Sequence, residues 1–126
     1  PGQKQRQDAV RIKLNAISAT VKGKRVVMVD DSIVRGTTMA SLIRMLKDAG
    51  ATEVHVRISS PPFLFPCYYG TDVPSNDQLI ASSHTAAEIC ASIGADSLGY
   101  MKLEDLKQMT GDLPLCKACF DSHYPV

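Results

Sequence analysis

The sequence predicts an α/β protein: a parallel sheet with flanking helices, followed by an irregular, cysteine-containing C-terminal tail. Three observations predict it. An apolar, β-branched run at 26–29 leads through a short polar loop into a helical stripe at 39–49. An alternating run at 53–59 follows, and two strands joined through a helix by short connections form a βαβ unit with parallel pairing. From Gly111 onward no periodicity is left, and that stretch carries Cys116-Lys117-Ala118-Cys119.

Taken in order, residues 1–8 are polar, and 10–14 (Val-Arg-Ile-Lys-Leu) alternate with period two. The alternation predicts a short strand or extended arm with Arg11 and Lys13 on one face, and a solvated basic face explains the same pattern. Lys22-Gly23-Lys24 is a turn signal. The continuous run at 26–29 predicts a strand buried on both faces. Thr38 is the expected N-cap of the next helix, whose stripe is Leu42, Ile43, Met45, Leu46 and Ala49, with Gly50 as its stop. Val54, Val56 and Ile58 alternate through the second strand, which Pro61-Pro62 closes. Residues 60–75 form a long irregular stretch with Pro61, Pro62, Pro66, Pro74 and Cys67, and such stretches are usually functional. A short helix is expected at 76–81 and a second from Thr85, its cap, to Gly94. A short strand at 97–101 and a last helix at 103–109 complete the elements.

At 126 residues one domain is the natural reading, with roughly two-thirds of the chain's surface available for burial. A net charge of +1 argues against a nucleic-acid or membrane surface, and no apolar run approaches the roughly 20 residues of a membrane span. The polar start holds no export signal, so a cytoplasmic, reducing setting is expected. The chain lacks an initiator Met and starts abruptly, and it is read as a piece of something longer.

Residues 26–38, VVMVDDSIVRGTT, concentrate the chemistry. Asp30 and Asp31 end an apolar strand, where adjacent carboxylates are costly unless hydroxyls or a cation compensate them. The helix that follows offers free N–H groups and a positive dipole end to an anion. Ser32, Thr37 and Thr38 add hydroxyls, and Gly36 permits close backbone approach to a phosphate. No Lys follows the glycine, so this is not a Walker loop, nor is it a GxGxxG turn. A sugar phosphate with Mg2+ fits; a helix start with ordinary acidic and hydroxyl caps is the plainer alternative.

These thirteen residues resemble, at every position, the phosphoribosyl-pyrophosphate motif of the type I phosphoribosyltransferases. DDSIVRGTT, MLKDAGATEVHVRISSPP and PCYYGTD, with VRIKLN before them and LCKACF after, are similar to the glutamine phosphoribosylpyrophosphate amidotransferase family over essentially the whole chain. The resemblance implies a partial type I phosphoribosyltransferase fold, with a Rossmann-like parallel sheet. It divides the chain into a lead-in arm after the flexible loop (1–22), the loop-bearing βαβ unit (23–60) and a C-terminal segment with cluster-type cysteines (61–126). It implies that the parent converts 5-phosphoribosyl-1-pyrophosphate and glutamine-derived ammonia to 5-phosphoribosylamine in purine synthesis.

By that resemblance, Asp30 and Asp31 hold the ribose hydroxyls and Mg2+, while Ser32, Arg35, Gly36, Thr37 and Thr38 cradle the 5′-phosphate. Lys13, in the KLN segment, is assigned to pyrophosphate or a feedback purine nucleotide. No side-chain nucleophile is expected, because the chemistry is displacement at the anomeric carbon. The N-terminal glutaminase domain and the first half of the phosphoribosyltransferase domain lie outside these residues, so the piece alone is expected to be inactive. The open sheet edges that result favour a homo-oligomer.

Cys116-x-x-Cys119 has metal-ligand spacing, with a redox or incidental pair as the alternative and Cys67 as a third candidate ligand. The resemblance places Cys67, Cys116 and Cys119 at three of the four ligands of a [4Fe–4S] cluster, and zinc suits the same thiolates. Cys90, within a helical stripe, is read as a core residue. His55, His84 and His123 lack any paired-ligand spacing and are read as structural or solvated. Tyr68 and Tyr69 are expected to pack the Cys67 loop. Two function classes remain: a piece of this enzyme, or a non-catalytic module that binds phosphoribosyl pyrophosphate or a nucleotide.

Overall fold

The computed structural model describes residues 2, 12, 15, 17–73 and 75–125. Three parallel strands, β1 (Arg25–Asp30), β2 (Glu53–Ile58) and β3 (Ser97–Tyr100), lie in the order β1-β2-β3. Helix α1 (Thr37–Asp48) connects β1 to β2; α2 (Ile80–Ser83) and α3 (Ala86–Ile93) lie between β2 and β3. Helices α4 (Asp105–Thr110) and α5 (Ala118–Asp121) follow. No helix among the described residues is long and apolar enough to cross a membrane.

Alternation sorts β2 into two faces. Val54, Val56 and Ile58 are buried with Met39 and Ile43 of α1 and Ile89 and Ile93 of α3. Each such aliphatic side chain contributes about 1.5–3 kcal/mol by leaving water. Both helices end on glycines in the left-handed region, Gly50 (φ 104) and Gly94 (φ 74), as expected of those stops. Thr85 caps α3 as expected, and Glu88 completes the capping box.

The opposite face corrects one expectation. Strand β1 is not buried on both faces: Val27 is 63% exposed and Val29 70%. The strand is an edge strand, and on its inner side Met28 packs against the core that α1 and α3 form with β2. On the outer side a polar row crosses the sheet. Arg25 Nε donates to Glu53 at 2.8 Å, and His55 bridges Glu53 (2.6 Å) and Ser97 Oγ (2.7 Å). Arg57 Nη1 donates to Ser97 Oγ at 2.9 Å and its stem lies over Gly99, where a Cβ would meet Arg57 Cδ at 3.0 Å. His55 thus has the structural role expected of it.

Other boundaries shift. The expected arm at 10–14 falls largely outside the described residues, and Ile12, which is described, is helical rather than extended. Gly36, not Thr38, occupies the N-cap of α1, because the loop enters the helix through a left-handed residue that Gly tolerates and Thr does not (φ 84). The single helix expected at 76–81 is two pieces, a 3₁₀ turn Asn76–Gln78 and α2, interrupted by extended Leu79. The last expected helix begins two residues later, at Asp105. The aperiodic tail contains α5.

A second, smaller core holds Phe63, Val73 and Leu79, with Val34, Cys119 and Phe120 packed on it. It joins the loop after β1 to the tail. Leu64 and Phe65 donate their amides to the Cys119 carbonyl (3.0 and 3.1 Å), and the Phe63 and Phe120 rings lie 5.1 Å apart. Tyr69 donates its hydroxyl to Pro125 O (2.6 Å), Tyr124 to Pro66 O (2.7 Å), and Tyr68 rests on Tyr124. Both tyrosines of the Cys67 loop therefore pack it against the tail.

Candidate functional site

Strand β1 ends in Asp30, whose carbonyl accepts the Ser59 amide at 2.9 Å. The chain then turns away from the sheet. The Asp31 amide donates to Asp30 Oδ1 (2.9 Å), and Ser32 Oγ donates to Asp31 Oδ1 (3.0 Å). At Gly36 the backbone is left-handed, and its carbonyl accepts the Ala40 amide (2.9 Å) as the first turn of α1. No acidic side chain sits in that turn, so the positive end of the helix is not offset. A Cβ on Gly36 would lie 3.4 Å from Ile80 Cδ1 and Ile93 Cγ2, so the glycine also seats the loop against α2 and α3.

These residues enclose an open cavity of about 420 Å³, lined by Asp30, residues 32–39, Asp72 and Gln78. Ser32, Arg35, Gly36, Thr37 and Thr38 are brought together at its wall. Asp31 stands beside the cavity, exposed, and is not among the lining residues. Lys13 lies outside the described residues. The cavity has acidic and hydroxyl groups at the strand end and amides with a guanidinium at the helix end. Such a pairing suits a ligand that carries hydroxyls at one end and an anion at the other.

Asp72 and Gln78 are missed by reading the motif alone. Gln78 accepts a hydrogen bond from Arg35 Nη2, and the Ile80 amide donates to the Val34 carbonyl at 2.9 Å. For Asp72 the sequence signal is its place in the irregular stretch 60–75, of the kind that often carries function, whereas Gln78 falls in the helix expected at 76–81 and has no such signal.

The cysteine region adjoins the small core, on which Cys119 packs. Cys67 pairs with Val73 in an isolated antiparallel bridge, and the Thr71 amide points at its sulfur (3.4 Å). Backbone N–H groups of Tyr69, Gly70 and Thr71 pull the Cys67 thiol down to about 7. Burial pushes the Cys119 thiol up, and the nearby charge of Cys67 adds to that. Cys116 is exposed. Three thiols near the tail, one of them with amides aimed at its sulfur, fit a soft-metal or iron–sulfur group in chemistry. Among the described residues, however, no three His, Cys, Asp or Glu side chains form a ready-made metal site. Cys90 donates to the Ala95 carbonyl (3.3 Å) within the α3 end, consistent with a packing role.

Residues 2–59 match the phosphoribosyl transferase domain family. Amidophosphoribosyltransferase of Archaeoglobus fulgidus is 51% identical over 130 residues, which take in 100% of this chain and 28% of that protein. The Bacillus subtilis enzyme of the same name is 51% identical over 131 residues, 99% of this chain and 28% of its own length. The chain belongs to the amidophosphoribosyltransferases. A solved structure of the B. subtilis glutamine phosphoribosylpyrophosphate amidotransferase, complexed with ADP and GMP, superposes with a TM-score of 0.81 at 49% identity. It covers 99% of this chain, and this chain covers 29% of it. The amidophosphoribosyltransferase likeness runs past the domain match at residue 59 and takes in the cysteine segment as well. The chain spans about a quarter of the length of the relatives it matches.

Proposed function

We propose that this chain supplies the ribose-5-phosphate end of the substrate site in an enzyme that converts phosphoribosyl pyrophosphate and glutamine-derived ammonia to 5-phosphoribosylamine, the first committed step of purine nucleotide synthesis. The observation that carries the proposal is the cavity at the β1–α1 junction, which is lined by the Asp30 carboxylate together with a helix N-terminus and Arg35. Ser32, Thr37, Thr38 and the amides beside Gly36 donate to the 5′-phosphate, and the Arg35 guanidinium balances its charge. Asp30 and Asp31 accept from the ribose hydroxyls. This fixes the face of the sugar that ammonia attacks as the bond from the anomeric carbon to pyrophosphate breaks. Pyrophosphate departs with the bonding electrons, and the new amine loses its extra proton. Positioning of this kind can supply on the order of 7–11 kcal/mol, so no side-chain nucleophile is required. Lys13 is proposed to meet pyrophosphate or a regulatory purine nucleotide.

The exposed and cavity-lining carboxylates of Asp31 and Asp30 are hard oxygen donors of the kind Mg2+ takes. Bound there, the ion would supply charge neutralisation for the leaving pyrophosphate. Cys67, Cys116 and Cys119 are proposed to hold a [4Fe–4S] cluster, with zinc the competing occupant and a fourth ligand elsewhere in the parent. Its contribution would be to pin the tail to the Cys67 loop. The open outer face of the sheet supports a reading in which further phosphoribosyltransferase segments, the glutaminase domain and other subunits adjoin this chain. A cytoplasmic setting is part of the same proposal.

Ammonia-dependent release of pyrophosphate from phosphoribosyl pyrophosphate by the full-length enzyme tests the reaction. Tight substrate binding without turnover would support a non-catalytic module instead. Asp30→Asn with Asp31→Asn abolishes Mg2+-dependent substrate binding by calorimetry; unchanged binding would sink the ribose and metal assignments.

A further inference from the structure

We propose that Gln78 is a positioning residue for the phosphate end of the site and acts through Arg35. Arginine is long and loses considerable rotamer freedom when fixed, so a guanidinium already held in place binds an anion at lower entropic cost. Arg35 is exposed, yet it is not left to swing: its Nη2 donates to the Gln78 carboxamide oxygen at the cavity wall. Gln78 is itself well anchored. It closes a 3₁₀ turn in which the Gln78 and Leu79 amides return to Ser75 O (3.3 Å) and Asn76 O (3.0 Å), while Ser82 Oγ donates to Asn76 O (2.9 Å). The next residue, Leu79, is 1% exposed in the small core, and the Ile80 amide clamps the Val34 carbonyl. Two ties therefore join this turn to consecutive residues of the phosphate loop, one to the Val34 backbone and one to the Arg35 side chain.

The chemistry of the acceptor matters. A carboxamide oxygen occupies one N–H of the guanidinium and leaves its positive charge whole for the phosphate. An apolar side chain of similar size would remove the tie without opening the cavity wall.

The inference rests on the reading of Arg35 as a phosphate ligand, and the test separates the two. Steady-state kinetics of the full-length enzyme, with ammonia saturating and phosphoribosyl pyrophosphate varied, are compared for Gln78→Leu, Gln78→Glu, Arg35→Ala and the Gln78→Leu/Arg35→Ala pair. Gln78→Leu raises KM by about tenfold and changes kcat by less than about twofold, the signature of a lost contact shared by ground and transition states. Gln78→Glu keeps a tie but sets a negative charge against the guanidinium, so it raises KM at least as much as Gln78→Leu does. On the Arg35→Ala background Gln78→Leu adds nothing, because its only route of action is gone. Unfolding temperatures equal to the parent's exclude a folding effect; if Gln78→Leu unfolds, Gln78→Asn, one methylene short of the guanidinium, takes its place with the same expected rise. An Arg35→Ala enzyme with a raised KM beside an unaltered Gln78→Leu enzyme overturns the role of Gln78 alone, as do additive effects in the pair. An unaltered Arg35→Ala enzyme overturns the phosphate reading itself, and the role of Gln78 with it.

Discussion

Asp96 accepts the Val54 amide on Oδ2 at 2.7 Å, and Val54 returns its carbonyl to the Asp96 amide at 2.8 Å. The pair locks the turn between α3 and β3 onto the start of the central strand, with Lys47 Nζ 3.4 Å from the same carboxylate. The Val54 amide, and then Lys47, hold the Asp96 carboxyl below its ordinary value of 3.8. A carboxyl depressed in the folded state stabilises the fold above the ordinary value, and that contribution fades as pH falls through the lowered one. Asp96→Asn therefore lowers the urea midpoint at pH 7, and the gap to the parent closes as the solution is taken below about pH 3.8. An equal gap at both pH values would rule out the charge as the cause.

Thr85 and Glu88 cap each other's amides at the start of α3, the Glu88 amide reaching Thr85 Oγ1 at 3.2 Å and the Thr85 amide reaching Glu88 Oε2 at 3.1 Å. Thr85→Ala removes the acceptor for Glu88 and costs about 1 kcal/mol, read as a shift in the denaturation midpoint. Thr85→Ser keeps the oxygen and restores most of it.

Much of the sheet was legible because each pattern had one physical reading. Val54, Val56 and Ile58 alternate and point one way; Ile43 and Ile89 fall on helical stripes; Gly50 and Gly94 stop their helices. Val27 and Val29 defeated the same reasoning, since an apolar run says that a face wants cover without saying which neighbour provides it. Thr38 was the better cap by residue type, but capping preference is local, and a left-handed Gly36 was needed to turn the loop over Ile80 and Ile93. The loop proposed to hold the phosphate is contiguous in the chain and could be read as a unit. Gln78 could not, because its partner lies 43 residues away and no periodicity links them.

Gly36 gives a prediction in which stability and binding move together. Its φ of 84 is a region that an L side chain enters at a cost, and an added Cβ would touch Ile80 and Ile93 at 3.4 Å, a tight but tolerable distance. Strain rather than collision thus dominates. Gly36→Ala costs about 1–2 kcal/mol of stability, seen in the unfolding temperature. It also weakens phosphoribosyl pyrophosphate binding by calorimetry, because relief of the strain moves the amides proposed to face the phosphate. Full affinity in a destabilised Gly36→Ala enzyme would show that the loop backbone takes no part in binding.

The cysteines separate by what surrounds each sulfur. Cys119 docks the tail through its carbonyl, which accepts from Leu64 and Phe65, so its sulfur is not spent on that contact. Cys67 has amides converging on its sulfur, and Cys116 is open to solvent. Cys90 instead turns its thiol to the Ala95 carbonyl, with neighbours Ile89 and Ile93 in the main core. Cys67→Ser, Cys116→Ser and Cys119→Ser in the full-length enzyme each reduce iron and acid-labile sulfide to background in anaerobic preparations, whereas Cys90→Ser leaves both at the parent's level. The tail contacts between Phe63 and Phe120 and between Tyr69 and Pro125 do not involve sulfur, so loss of the proposed metal group would loosen the tail without detaching it. Limited proteolysis registers this as faster cutting within 111–117 while residues 25–58 stay protected. Zinc without sulfide in the parent would replace the cluster by a tetrahedral thiolate site, and undiminished iron in the Cys119→Ser enzyme would remove Cys119 from either ligand set.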